Sequence, residues 1–291
     1  MSNAREWAGR AIFRLVAGPR GEENRIRIHG TPGPRWFAPD SAIARVHGDA
    51  SMFVGGLRAV MLQTLHPAAM TAVSEHSGYR GDLFGRVART STFLATTTFG
   101  TEAHAEQAVE AVRAIHRRVS GVVDDGTPYA ASDPHLLTWV HVAEIDSFLT
   151  AHQVYGARPL DPAGCDEYVA QAGFVARKLG ALDVPEAQAE LTARLEAFRP
   201  ELRGTPHARE ALDHVIHRPP VHILARPAYA ALVAAATALM PPWSREPLGL
   251  PHRPLVEQTL GWGAGQVATW GIRYALGPGA RRAATVPDPV R

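Results

Sequence analysis

Two histidines stand on apolar helical stretches, downstream of a compact Arg/Thr cluster. Ala105, Val109, Val112, His116 and Val119 fall on one stripe at spacings of three and four. Leu137, His141, Ile145 and Phe148 form a second stripe, with Trp139 and Glu144 beside it. Each imidazole therefore points the way of aliphatic side chains, toward a core. A neutral imidazole in an oily setting is what a haem iron or another soft metal takes as ligand. An inert, satisfied core histidine has the same pattern. Glu144 or Asp146 is spaced to orient a ring nitrogen of His141.

The cluster upstream is Asp82 to Phe93. Arg86 and Thr90 are four apart and share a helical face, with Arg89 adjacent, and the face continues through Phe93 and Leu94 toward Thr97. A guanidinium and a hydroxyl on a mostly apolar helix suit a carboxylate or an oxygen-derived species. The alternative is an arginine paired with Asp82 or Glu75. The β-branched run Thr96-Thr97-Thr98 is helix-weak and predicts a distortion there. Arg113, Arg117 and Arg118 flank His116 and are cations of the kind that pair with haem propionates. The helix holding Leu62-Gln63-Thr64-Leu65-His66-Pro67 is almost wholly apolar and central, so Gly55-Gly56 within it marks close approach of another helix or a flat cofactor. His66 caps that helix or faces a pocket. His214 and His217 at i, i+3 are a weak zinc pattern, without Cys or His-Glu-x-x-His.

The elements that must position these groups read as helix after helix. Apolar spacing predicts helices over about 4–17, 41–48, 52–65, 67–76, 82–98, 102–121, 134–155, 165–179, 185–197, 207–216, 226–240 and 253–276. Pro-rich breaks at 31–39 and 218–226 and an extended connection at 241–252 separate them. The expected division is an N-terminal helix and extended segment (1–39), one all-α domain (40–277) and a frayed tail (278–291).

At 291 residues the chain can bury a large core, and a net charge of +2 implies no polyanion field and no nucleic-acid partner. The single Cys165 rules out an intrachain disulfide, Cys-rich metal sites and covalent haem attachment. No apolar run reaches a membrane span and no signal peptide is read, so a cytoplasmic location is expected. The segment 4–17 reads as an amphipathic surface helix, with peripheral membrane contact the minor alternative.

Taken in order, these segments resemble the oxygenase MpaB / rubber oxygenase (latex-clearing protein) catalytic-domain family, nearest its bacterial MpaB-like branch. The resemblance runs through Leu62-Gln63-Thr64-Leu65-His66-Pro67, Glu75-His76-Ser77, Arg86-x-x-Arg89-Thr90, Phe99-Gly100-Thr101, His116-x-x-Val119, Tyr129-Ala130-x-x-Asp133-Pro134 and Trp139-Val140-His141. It covers about residues 40 to 275. It implies a globin-related helical bundle of about ten to twelve helices with one non-covalent haem b. His116, in its Val-Arg-x-x-His-x-x-Val context, matches the proximal iron ligand, and His141 is the alternative. Arg86 and Thr90 match the distal pair, Arg89 a neighbouring basic position, and Glu75 the catalytic base. Arg113 and Arg117 join the histidines as expected cofactor contacts. The implied partners are O₂ (or a peroxide) and a small apolar substrate, unsaturated or isoprenoid-like. The missing leader and the shorter length depart from the secreted rubber-cleaving enzymes. Two other readings stand beside the oxygenase: a haem protein for sensing or electron transfer without turnover, and a cofactor-free helical binding protein.

Overall fold

The computed structural model describes residues 2–78, 82–219, 221–252 and 257–277. Among them are fourteen α-helices and one two-stranded sheet, so the fold is all-α as expected. The N-terminal half holds α1 (Ser2–Ala17), α2 (Gly21–Gly30), α3 (Ala42–His47), α4 (Met52–Gln63), α5 (Pro67–His76), α6 (Leu83–Phe99) and α7 (Glu102–His116). A hairpin of β1 (Ser120–Val122) and β2 (Pro128–Ala130) follows, with Gly121 opposite Tyr129. Then come α8 (Pro134–Tyr155), α9 (Pro162–Leu179), α10 (Gln188–Phe198), α11 (Pro206–His217), α12 (Arg226–Ala238), α13 (Pro242–Arg245) and α14 (Trp262–Leu276).

The long helix α8 is the axis of the molecule. Asp133 starts it by accepting from the amides of His135 and Leu136, and Pro134 occupies its first turn. Its apolar residues are buried all round, including Trp139, Val142, Ala143 and Ala151, as a central helix requires. α4 packs along it, and Gly55 is where they meet: a Cβ there would lie 2.9 Å from Phe148 Cδ1 and 3.1 Å from its Cα. The bulky neighbour that Gly55 predicts is thus another helix. Tyr168 of α9 and Phe198 of α10 complete the core around Trp139 and Tyr155.

The structure corrects four expectations. The segment after α1, expected to be extended, forms α2. Glu22 and Glu23 in its first turn and Arg27 in its last suit the helix dipole, and Ile28 is buried. The connection 241–252 contains the short α13, so the helices number two more than the expected maximum. The helix predicted over 102–121 stops at His116, because the hairpin takes over, turned by Gly126 at φ +88° after Asp124-Asp125. At the threonine run α6 continues unbroken to Phe99. Thr96 and Thr97 hydroxyls donate back to the carbonyls of Thr92 and Phe93, which satisfies them within the helix. The tail from 278, expected to fray, lies outside the described residues.

Candidate active-site cavity

One cavity gathers the predicted histidines. The α8 face supplies Leu137, Val140, His141, Glu144, Ile145 and Phe148, which contains the whole stripe predicted around His141. Phe93, Leu94 and Thr97 of α6 and His116 at the end of α7 face it. Ile43 and His47 of α3, with Val175 and Leu179 of α9, contribute further wall. The cavity's free volume is about 100 Å³, within about 650 Å³ of empty space that includes open solvent. A group as large as a porphyrin exceeds the free volume alone.

The polar groups on this wall are set by burial. Nδ1 of His116 and Nε2 of His141 are buried with no hydrogen-bond partner among the described residues. Buried polar atoms are nearly always paired, so two orphaned nitrogens on one cavity are a departure that points to a ligand. Desolvation lowers the pKa of both rings; for His141 burial, with help from Arg177, brings it to about 3. Both imidazoles are accordingly neutral and able to donate a lone pair. Glu144 lies one helical turn beyond His141, and no hydrogen-bond or ion-pair partner for it is found among the described residues. Burial alone pushes its carboxyl up to about 7. His47 is also driven to about 3, chiefly by burial and then by His152, but it is satisfied: Nδ1 lies 2.8 Å from Thr98 Oγ1 and Nε2 3.4 Å from the Tyr168 hydroxyl.

The remaining predicted residues are placed elsewhere. Arg86 and Thr90 lie on the α6 face that runs on into Phe93, Leu94 and Thr97, but neither is part of the cavity wall. Thr90 is exposed. Arg86 is half-buried, and desolvation, then the charge of Arg89, lowers its pKa. Neither expected carboxylate pairs with it. Asp82 caps α6 at the Gly85 amide (2.8 Å) and bonds exposed Arg89 (3.3 Å). Glu75 is exposed on α5 and accepts from the Tyr129 hydroxyl at 2.8 Å, raising that phenol to about 12 after desolvation. Arg113 and Arg117 are exposed and reach Glu110 at 3.9 and 2.9 Å. His66 sits at the N-terminus of α5 against Trp139, 3.6 Å from Glu201, with both ring nitrogens unbonded. His214 bonds the Glu210 carbonyl within its own helix.

Sequence reasoning missed His47, which reads as an ordinary helix-end histidine. It reached Glu144 only as an orienting group, although the i, i+3 spacing from His141 was the signal that it shares the wall.

Residues 44–287 match the family described as ER-bound oxygenase mpaB/B′/rubber oxygenase, catalytic domain. The chain belongs to this oxygenase family. Neither the curated proteins nor the solved structures contain a significant match to it. An oxygenase role in general terms, with O₂ and an organic substrate as partners and a haem or iron requirement typical of the family, follows from membership. Among the described residues no helix is long and apolar enough to cross a membrane.

Proposed function

We propose that this chain is a haem b-dependent oxygenase acting with O₂ on an apolar, unsaturated substrate, with His116 as the residue that would hold the iron and His141 as the alternative. The observation that carries the reading is the pair of orphaned neutral imidazole nitrogens on one apolar cavity. The donor set favours a macrocycle over a bare ion. Among the described residues no group of three or more His, Cys, Asp or Glu side chains could hold a metal ion. A non-haem oxygenase iron takes two histidines and a carboxylate, whereas a haem brings four nitrogens and needs one protein ligand. Bound haem supplies the O₂ chemistry that no side chain provides.

The chain's own groups do the rest. The aliphatic and aromatic wall excludes water and holds an apolar substrate. Arg86, half-buried and without an acid partner among the described residues, offers a cation to a propionate or to an oxygen-derived species, with Thr90 a turn away. Glu144 replaces Glu75 as the better candidate for proton transfer, since it lines the cavity and titrates near neutrality.

Haem-supplemented protein is expected to show a Soret band. His116→Ala should abolish haem retention and His141→Ala should keep it; the reverse would transfer the ligand role to His141. No Soret band in the wild type would sink the haem claim. O₂ uptake with a panel of unsaturated lipophiles tests turnover. A haem inert to cyanide and without O₂ uptake would instead support the electron-transfer reading.

A further inference from the structure

The last described helix presents a large apolar face to solvent. α14 sends its small residues inward: Gly265 lies so close to Tyr155 that a Cβ would meet its ring at 2.4 Å, and Thr269 is fully buried. Ile272 is buried and Leu276 packs on the core, but four of the helix's large apolar residues face out. Val267, Trp270 and Tyr274 are 71%, 66% and 51% exposed, and Trp262 at its start is 52% exposed. The spacing 267, 270, 274 makes these one continuous stripe. Trp270 and Tyr274 stack at 5.7 Å, within 12° of parallel.

The neighbouring helix extends this face and gives it a charge. α1 packs on α14, with Gly9 against the Ala275 carbonyl. The Arg5 guanidinium lies 4.8 Å above the Tyr274 ring and donates to the Tyr274 carbonyl at 2.7 Å, so the two helices meet at the edge of the aromatic stripe. The outer face of α1 carries Trp7, Arg10 and Arg14, all exposed, at helical spacing. Among the described residues, Glu6, 3.7 Å from Arg10, is the acid that opposes these cations.

We propose that the joined outer faces of α1 and α14 are a docking surface for an anionic lipid bilayer, which they enter no deeper than the headgroup level. Tryptophan and tyrosine, apolar in body and polar at the tip, are the residues that settle at that depth. Arginines beside them match anionic headgroups, and an apolar stripe rimmed by one sign of charge is the signature of an interfacial helix. The surface owes nothing to the cavity or to any cofactor.

The test is flotation of the full-length protein with vesicles of phosphatidylcholine alone and of phosphatidylcholine with about 30% phosphatidylglycerol. The wild type should float with the mixed vesicles and bind the neutral ones about tenfold or more less well. Trp270→Ser with Tyr274→Ser should lower binding to the mixed vesicles about tenfold or more. Arg10→Gln with Arg14→Gln should narrow the difference between the two vesicle types by about fivefold per arginine. Unchanged thermal melts would show that these exposed substitutions leave the fold intact. A wild type that floats with neither vesicle overturns the proposal. So does a wild-type dimer that the Trp270/Tyr274 variant converts to a monomer, with no flotation in either form, because the face would then belong to a second copy of the chain.

Discussion

Glu144 stands apart from Asp82, Glu75 and Glu110, each of which is taken up by a neighbour that bonds it. Its carboxyl faces an apolar cavity, and desolvation alone holds its pKa at about 7. A carboxyl poised there is protonated below neutrality and free to accept a proton above it. Activity that depends on it as a base should rise with pH through about 7. Glu144→Gln is expected to lower turnover by ~10²–10⁴-fold and to remove that inflection from the pH–rate profile. If Glu75→Gln has this effect and Glu144→Gln does not, the base is the exposed carboxylate on α5. The orphaned nitrogens of His116 and His141 are the same kind of observation, since each is a buried polar atom with no partner among the described residues.

At the scale of elements, the site depends on how closely α4 approaches α8. Gly55 permits it, and Phe148, the residue it packs against, is also a cavity residue. Gly55→Ala gains about 0.5–1 kcal/mol of helix propensity. It also forces a Cβ to within 2.9 Å of the Phe148 ring and 3.1 Å of its backbone. Overpacking of this kind costs about 1–3 kcal/mol, so net destabilisation is expected. The adjacent Gly56 has nothing within 4 Å of its Cβ position. Gly56→Ala should therefore stabilise by about 0.5–1 kcal/mol through propensity alone. Urea unfolding of the two variants checks both signs, and equal effects would refute the close-contact account. The α7 boundary matters in the same way, because a helix continued past His116 would remove the hairpin whose Tyr129 holds Glu75.

For the whole molecule, several neutral groups are buried at once, and their pH effects partly oppose. His47 and His141 fall from 6.5 to about 3 in the folded state. Above pH 6.5 neither state binds a proton at these rings, so their contribution is fully present. As pH falls from there toward about 3, the unfolded chain takes up protons that the native chain refuses. Stability then declines by about 1.4 kcal/mol per pH unit for each ring. Glu144 acts with opposite sign. Raised from 4.5 to about 7, it binds its proton first in the folded state and offsets one ring between those values. The cofactor-free protein should therefore lose about 1.4 kcal/mol per unit from these three groups between pH 6.5 and 4.5, and twice that below. His47→Gln should lower the slope across the upper window by about 1.4 kcal/mol per unit, read as urea midpoints against pH. A slope unmoved by that substitution would show that His47 is not buried neutral.

The sequence by itself determined the helical class, the start of α8 at Asp133-Pro134, and the apolar stripes that carry His116 and His141. Each of these is local: a cap, a proline or a spacing of three and four is written within a few residues. The family resemblance was legible there too, in the order of its short motifs. The hairpin also had a local signal in Asp125-Gly126, overlooked because the apolar stripe ran on through Val119. Only the tertiary structure decided what each stripe meets. It brought His116 and His141 to one wall, added Glu144 and His47, and set Glu75, Arg113 and Arg117 among exposed partners. It also turned the aromatic face of α14 outward. Which residues share a cavity depends on the packing of helices far apart in the chain, and side-chain spacing within one helix does not contain that information.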